Sequence, residues 1–282
     1  MDLTKDKKIK QINLEEILRE KNPRLLKILP KFVIRYIKRI IHQDEFNEFL
    51  HFTKDHYGLD FITAALDFFE IKVECVGVEN IPETGGCIIV ANHPLGGIDG
   101  IAVMNGVAQR RTDIKALVND LLMNLENAAS VMIPINKYAK NLTENVKLIE
   151  QTYAANECLV LFPAGLVSRK QDGIVKDLEW KKSFITKAIK YQQVVVPIYV
   201  EASNSSFFYN VGVIRKKLGI KANIEMFYLV DEVFKQKGKT ITLTIGAPIN
   251  YSAFTKKNSA LGWAQEMKNH VYNLKYNHQK IF

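Results

Sequence analysis

A histidine and an aspartate six positions apart give the sequence its most specific chemical feature. His93 comes two residues after an apolar run, and Asp99 comes shortly after a pair of glycines. A carboxylate that binds one ring nitrogen of a histidine fixes its tautomer and stabilises the imidazolium that forms when the other nitrogen takes a proton. The two residue types therefore suit a general base that activates a hydroxyl group, a role that contributes about 10²–10⁴-fold to a reaction rate.

The spacing means that the two side chains meet only if the chain between them folds back. Pro94, Gly96 and Gly97 disfavour a continuous helix between them. A loop at these glycines can bring the carboxylate of Asp99 to the imidazole of His93, with Asp99 near the N-terminus of the next helix, where capping and the helix dipole favour it. The alternative is an ordinary loop histidine beside an aspartate that only caps a helix.

The elements that must position this pair change in character near residue 70. Residues 1–70 have helical periodicity, interrupted by Pro23 and Pro30, and show no β pattern. Residues 71–282 alternate short apolar runs with helical patterns, which predicts an α/β domain with a mostly parallel central sheet flanked by helices. Strands are predicted at 87–91, 114–118, 131–135, 158–162, 194–200, 224–230 and 240–245, and helices at 100–110, 141–155, 180–191 and 252–276.

Composition narrows the class of protein. A chain of 282 residues with 47% hydrophobic content suits one large α/β domain with a helical appendage. Cys75, Cys87 and Cys158 lie singly in apolar runs, without the paired spacing of a zinc site or a disulfide framework, which favours a reducing cytoplasmic compartment. The N-terminus is charged, and no apolar stretch approaches the roughly 20 residues that span a bilayer. We therefore expect neither export nor a membrane-spanning helix.

The net charge of +9 favours anionic partners, and part of it is concentrated in residues 31–42. There, cations recur every three or four residues opposite an apolar side. The cations are Lys31, Arg35, Lys38, Arg39 and His42, and the apolar residues are Phe32, Val33, Tyr36, Ile37 and Ile40. This pattern is typical of a helix that lies in a membrane interface, and equally of a helix docked on its own domain. Nucleic acid is not an expected partner, because aromatic residues are not interleaved with Arg and Lys on a candidate sheet face.

Four blocks of the sequence resemble those of the glycerolipid (lysophospholipid) acyltransferase family and follow the order of that family. They lie at residues 92–100, 132–137, 161–169 and 195–198. The resemblance implies direct transfer of an acyl group from a thioester to a lysolipid hydroxyl, with His93 as general base and Asp99 as the carboxylate that orients it. The sequence agrees, because it contains no Gly-x-Ser-x-Gly elbow and no cysteine in a nucleophile loop.

The same blocks supply candidate residues for substrate binding. They are Asn92, Gly96, Gly97, Lys137, Phe162, Pro163, Gly165, Ser168 and Arg169. Backbone N–H groups at Gly96 and Gly97 could bind the oxyanion of the tetrahedral intermediate. The second loop, at 162–165, follows a predicted strand and should lie beside the first on the same edge of the sheet. Ser168 and Arg169 could then contact an acceptor headgroup or the phosphates of the acyl carrier, with solvated turn positions as the alternative. No metal ligands are predicted.

Three departures from the family pattern bear on the acceptor. Five residues rather than four separate His93 from Asp99, Ala164 replaces the usual Glu, and Asn136-Lys137 stands where an Arg is common. The resemblance assigns the Glu and Arg positions to a glycerol-phosphate acceptor. The departures therefore argue against a phosphate-bearing acceptor. The double glycine at 96–97, the Phe-Pro-Ala-Gly form at 162–165 and the segment at 201–209 resemble those of a bacterial branch. The resemblance implies lyso-aminolipid acceptors, such as lyso-ornithine or lyso-glycine lipids, esterified on a 3-hydroxyacyl hydroxyl.

The expected enzyme works in bacterial membrane lipid synthesis, as a peripheral protein on the inner face of the cytoplasmic membrane. Its co-substrate would be an acyl thioester of acyl carrier protein or of coenzyme A, with no other cofactor. One alternative within the enzyme class is a 1-acylglycerol-3-phosphate acyltransferase that makes phosphatidate. An alternative of another class is a non-catalytic membrane-lipid-binding protein, against which the intact His93 and Asp99 argue.

Overall fold

Short apolar runs of the sequence become the strands of the molecule. The computed structural model describes residues 11–135, 142–277, 279, 281 and 282. Its strands are β1 (Lys72–Val76), β2 (Cys87–Ala91), β3 (Ile114–Val118), β4 (Met132–Pro134), β5 (Cys158–Leu161), β6 (Arg169–Gln171), β7 (Ile174–Lys176), β8 (Val194–Glu201) and β9 (Thr240–Ile245). Six of the seven runs predicted as strands therefore form strands.

Seven strands form a central sheet in the order β1-β9-β8-β2-β5-β3-β4, and β6 and β7 form a separate antiparallel hairpin. Within the sheet β9 pairs antiparallel with β8, and all other neighbours run parallel. The prediction of a mostly parallel sheet is confirmed. Strands β2 and β5 lie at its centre and are buried at every residue, as expected of strands covered on both faces.

Helices cover both faces of the sheet. They are α1 (Leu14–Lys21), α2 (Pro23–Ile28), α3 (Lys31–Ile40), α4 (Gln43–Phe52), α5 (Leu59–Phe68), α6 (Gly97–Ala108), α7 (Leu142–Ala154), α8 (Ser183–Tyr191), α9 (Ser206–Lys217), α10 (Leu229–Phe234) and α11 (Ala260–Leu274). Side chains of β2 alternate between two hydrophobic clusters: Ile89 packs with α5 and α6, whereas Ile88 packs with α8 and α11.

The N-terminal helices differ in how deeply they are buried. Phe49 of α4 and Phe61 of α5 lie in the same hydrophobic cluster as the sheet, whereas Ile34 is the buried residue of α3. Residue 70 thus marks the change from helices to strands rather than a boundary between two hydrophobic cores. None of the helices in the described part of the chain is both long enough and apolar enough to cross a membrane.

The strand predicted at 224–230 is wrong. The segment forms a 3-10 helix over Ile224–Tyr228, and α10 follows directly. Ile224, Met226 and Tyr228 alternate as in a strand, but Glu225 between them is the fully buried residue. Its carboxylate turns inward to meet two arginines, so the apolar alternation does not mark a face that packs on a core.

Candidate active site

The loop that carries His93 joins β2 to α6 at the carboxyl edge of the sheet. The side chain of Asn92 continues the pairing of β2 with β8: its amide donates to the carbonyl of Val200 at 3.0 Å, and its oxygen accepts the N–H of Val200 at 2.7 Å. Asn204 donates to the carbonyl of Pro94 at 3.1 Å. The loop is therefore held in place at both of its sides by the end of β8 and the residues that follow it.

The loop folds back and brings the predicted pair together. Nδ1 of His93 lies 3.1 Å from each carboxylate oxygen of Asp99, which is fully buried in the first turn of α6. The N–H groups of Leu95, at 2.8 Å, and Gly96, at 3.2 Å, donate to the same carboxylate. The imidazole stacks on Phe162 and keeps 19% of its surface exposed. With Nδ1 bonded to Asp99, Nε2 is the nitrogen left to exchange a proton with a substrate.

The electrostatic surroundings make His93 a stronger base. Burial lowers the pKa of His93, but the negative charge and hydrogen bond of Asp99 and the charge of Asp177 raise it more, so the pKa lies above its ordinary value. Arg169 opposes this with a smaller lowering effect on the same pKa. The balance suits a group that must accept a proton from a hydroxyl.

The two glycines of the loop have different roles. Gly96 precedes α6 with φ +93, a left-handed conformation that side chains disfavour, and a Cβ there would lie 3.3 Å from Val167. Its N–H donates to Asp99, so it is not directed toward a substrate, contrary to the expectation for the oxyanion. Gly97 is the first residue of α6. Of the two candidate oxyanion donors, Gly97 is the one whose N–H is not committed to this carboxylate.

The second predicted loop lies beside the first, as expected. Phe162 stacks on His93 with ring centroids 4.3 Å apart, and the N–H of Ser168 donates to the carbonyl of His93 at 2.7 Å. The carbonyl of Pro163 accepts the N–H of Lys181 at 3.0 Å. A Cβ at Gly165 would lie 2.7 Å from the amine of the same lysine. The backbone of this loop is therefore closely packed against its neighbours.

Ser168 and Arg169 point into the protein, which corrects their predicted exposure to an acceptor headgroup. The Ser168 hydroxyl donates to Asp177 at 2.5 Å. The guanidinium of Arg169 lies 3.2 Å from Glu225, which also pairs with Arg215 at 2.8 Å. Arg169 begins β6, whose alternation turns this residue inward and the next one outward, and Ser168, just before the strand, is held inward by its hydrogen bond to Asp177. Both side chains therefore stabilise the site rather than line an open surface.

Asp177 is a residue of this site that the sequence did not indicate. Its fully buried carboxylate accepts the backbone N–H of His93 at 3.2 Å, the hydroxyl of Ser168 and the indole N–H of Trp180 at 2.8 Å. It thus ties both loops to the chain that follows β7. No motif marks Asp177, since the fold alone brings its partners to it.

Two further expectations concern Lys137 and metals. Lys137 lies outside the described residues, so its place relative to the loops stays a prediction. Within residues 11–135 and 142–277, no three His, Cys, Asp or Glu side chains are grouped as they would be around a metal ion.

Comparisons with known proteins found a matching family and several similar proteins. The sequence model of a family described as "Acyltransferase" matches residues 16–279. A curated lyso-glycine lipid O-acyltransferase of Bacteroides thetaiotaomicron is 47% identical over 265 residues, which cover 93% of this chain and 97% of that protein. The protein of the same name from Phocaeicola vulgatus is 47% identical over 270 residues, covering 95% and 97%. The crystal structure of the 1-acyl-sn-glycerophosphate acyltransferase PlsC from Thermotoga maritima aligns with a TM-score of 0.48 and 18% identity, over 88% of this chain and 91% of that one.

Proposed function

The chain belongs to the acyltransferase family, and on that premise we propose that it moves a fatty acyl group from a thioester to the hydroxyl of a lyso-aminolipid in bacterial membrane lipid synthesis. Lyso-glycine lipid is the first candidate acceptor. The observation that carries this proposal is the 47% identity to two lyso-glycine lipid O-acyltransferases, over nearly the full length of this chain and of those two proteins. The contact between His93 and Asp99 supports the same chemistry.

In the proposed reaction His93 is the general base. Its Nε2 takes the proton of the acceptor hydroxyl as the oxygen attacks the thioester carbonyl, and Asp99 stabilises the imidazolium through Nδ1. The tetrahedral intermediate collapses with cleavage of the C–S bond, and Nε2 returns the proton to the leaving sulfur. The products are the O-acylated lipid and the free thiol of the carrier. Gly97, at the N-terminus of α6, offers its N–H to the oxyanion.

An acceptor without a phosphate fits the surroundings of this pair. Ala164 stands where the resemblance expects a glutamate for glycerol phosphate, and its side chain is buried. The nearby guanidinium of Arg169 is buried and ion-paired with Glu225, so it does not extend toward a phosphate as an exposed cation. These two features support an aminolipid acceptor over lysophosphatidate.

We further propose that the enzyme works as a peripheral protein at the inner face of the cytoplasmic membrane, with an acyl thioester as its co-substrate and no other cofactor. A net charge of +9 suits an acidic acyl carrier protein at least as well as coenzyme A. On α3, Phe32 and Tyr36 are exposed beside the exposed cations Lys31, Arg35 and Arg39, as in a helix that contacts a membrane interface.

Competition between acceptors tests the proposed substrate class. Purified protein is incubated with an acyl thioester of either carrier, and lyso-glycine lipid, lyso-ornithine lipid and lysophosphatidate are offered together. Mass spectrometry of the products should show the O-acylated aminolipids in excess. Exclusive formation of phosphatidate would overturn the acceptor and favour the glycerol-phosphate reaction instead.

Removal of the base tests the mechanism. A His93→Ala enzyme should lose acyl transfer by about 10²–10⁴-fold, the usual contribution of a positioned base. His56→Ala is the matched control, because His56 pairs with Asp60 at an exposed position of the N-terminal region. Circular dichroism establishes that both variants are folded. Substantial activity in a folded His93→Ala enzyme would remove His93 from the mechanism.

A further inference from the structure

Two segments that are far apart in sequence form one surface beside the active site. They are α3, at residues 31–40, and residues 206–228, which contain α9 and the 3-10 helix. The hydroxyls of Tyr36 and Tyr228 lie 2.9 Å apart, and the ring of Phe207 packs on Tyr228 at 5.0 Å. The exposed apolar residues of these segments, called the aromatic face below, include Phe32, Tyr36, Phe207, Ile214, Leu218 and Phe227.

Helix α9 carries apolar residues on two sides, of which only one is covered. Phe208 and Gly212 are buried against the domain. A second stripe begins at Phe207 and continues through Ile214 to Leu218 at helical spacing, and its members are exposed, Leu218 at 69%. Phe227 of the 3-10 helix is exposed to the same extent. Exposed apolar residues that recur on one side of a helix mark a place where another apolar surface binds.

The charge of the two segments indicates what binds there. Together they contain eight Lys and Arg residues and a single acidic residue, Glu225. The whole chain contains 39 Lys and Arg residues and 30 Asp and Glu residues. Glu225 is fully buried and paired with two arginines. The exposed cations are Lys31, Arg35, Arg39, Lys216, Lys217 and Lys221. Exposed cations on the same segments as exposed aromatic and aliphatic side chains complement an anionic lipid headgroup layer with acyl chains beneath it.

The inner side of this surface contacts the catalytic loops. Val167, next to Ser168, packs in a cluster with Phe208 and Tyr209 of α9 and with Tyr228 and Leu229. A Cβ at Gly96 would lie 3.3 Å from Val167 and 3.5 Å from Leu229. Tyr228 of this cluster contacts Tyr36 and Phe207, so packed side chains connect the aromatic face with the loop of His93.

We propose that the aromatic face docks on an anionic lipid bilayer, so that the acceptor is acylated without leaving the membrane surface. The membrane-contacting surface then extends well beyond the N-terminal helices, because residues 206–228 supply four of its six residues. This inference deepens the peripheral location and rests on the proposed function. A carrier protein would also be attracted by the cations. The exposed aromatic rings and the exposed Leu218, however, favour contact with the apolar interior of a bilayer.

Binding to vesicles without acceptor or thioester tests the proposal. The wild-type protein should cosediment with vesicles of phosphatidylglycerol and phosphatidylcholine in equal parts. Phe227→Ser with Leu218→Ser should lower the partition coefficient at least about tenfold, because buried apolar area sets interfacial affinity. The matched control is Ile189→Ser with Tyr276→Ser, two exposed apolar residues outside this face. That control should bind vesicles and transfer acyl groups as the wild type does.

A charge variant separates the lipid from other partners. Lys216→Gln, Lys217→Gln and Lys221→Gln together should weaken binding to the anionic vesicles by about 100-fold, since each cation near an anionic leaflet contributes a factor of about five. Binding to pure phosphatidylcholine should change far less. The proposal is overturned if the wild type ignores vesicles, if the serine variant binds as the wild type does, or if the charge variant loses only its use of acyl carrier protein.

The enzyme assay keeps this inference distinct from the proposed function. For the serine variant, acylation of an acceptor embedded in vesicles should fall relative to acylation of a short-chain acceptor dispersed in water. If both fall equally, the aromatic face does not act through the membrane. If neither acceptor is acylated by the wild type while vesicle binding persists, the proposed substrate fails and the docking surface stands.

Discussion

Asp177 offers a sharp test of how the site is held together. Its carboxylate binds the backbone of His93, the hydroxyl of Ser168 and the indole of Trp180, and none of it is exposed. Asp177→Asn keeps the shape of the side chain but removes its charge and replaces one acceptor oxygen by a donor. The substitution therefore tests the charge and the acceptor oxygens of the carboxylate at almost unchanged side-chain volume.

The magnitude follows from the distribution of the hydrogen bonds. Oδ1 of Asp177 accepts from His93 and Ser168, and Oδ2 accepts from Trp180. The amide of an asparagine is best placed with its oxygen at Oδ1, so its NH₂ group faces the indole N–H, donor against donor. Hydrogen bonds to a charged group contribute about 1.5–3 kcal/mol and neutral ones about 0.5–1.5 kcal/mol. The lost bond costs about 1.5–3 kcal/mol and each weakened bond about 1–1.5 kcal/mol, so the free energy of unfolding falls by about 3.5–6 kcal/mol. A domain in the upper part of the usual range of about 5–15 kcal/mol can survive this.

The same change should move the pH dependence of catalysis. The charge of Asp177 is one of the effects that raise the pKa of His93. Since His93 must be neutral to accept a proton, activity is lost as the pH falls through its pKa, and removal of the charge should shift this acid limb to lower pH. A role confined to packing would lower stability without moving the limb.

Two measurements check the prediction. Urea unfolding gives the stability, and the pH dependence of kcat is followed by release of the free thiol of the carrier. Asp172→Asn is the matched control, because Asp172 is exposed in the turn between β6 and β7 and undergoes the same chemical change. An Asp177→Asn enzyme with the wild-type stability and acid limb would refute the reasoning.

Three other outcomes follow from the structure. Because nearby carboxylates outweigh burial in setting the pKa of His93, the acid limb of wild-type kcat should have its midpoint above the ordinary histidine value of about 6.5, and a midpoint at or below that value would contradict this balance. Gly96→Ala should destabilise the protein by about 1–3 kcal/mol and reduce acyl transfer. The control Gly173→Ala, at a similar φ with open space around it, should affect stability alone. Equal losses of activity in the two variants would disprove crowding of the catalytic loop. Glu225→Gln leaves two buried guanidinium groups without their counter-charge and should cost about 3–5 kcal/mol in urea unfolding, so a loss below about 1 kcal/mol would count against a structural role for this ion pair.

Much of the framework could be predicted because its signals are local. Buried parallel strands are short apolar runs, and 87–91, 114–118 and 240–245 form as predicted. The family resemblance carried by the four blocks is confirmed. The meeting of His93 with Asp99 follows from Pro94 and Gly96, which keep the chain from forming one continuous helix from His93 to Asp99. Both results depend on residues close together in sequence.

The rest depends on pairings that no local pattern encodes. From the sequence alone, Arg169 is expected to be a surface cation. In the structure it pairs with Glu225, which lies 56 positions later in a 3-10 helix whose apolar pattern predicts a strand. Asp177 has no motif, and its partners are a backbone N–H and a hydroxyl from two separate loops. Buried polar residues of this kind are assigned only when the fold shows which donor reaches which acceptor.

The way the catalytic loop is anchored also bears on the order in which the protein folds. Asn92 bonds Val200 over 108 positions, and Pro94 accepts from Asn204 over 110. Contacts that close such long stretches of chain carry a large entropic cost and form late, after helices and local pairings. Recovery of acyl transfer during refolding should therefore lag behind recovery of the helical signal. A nascent chain released before β8 is complete would contain both His93 and Asp99 and still lack the conformation that makes them a base.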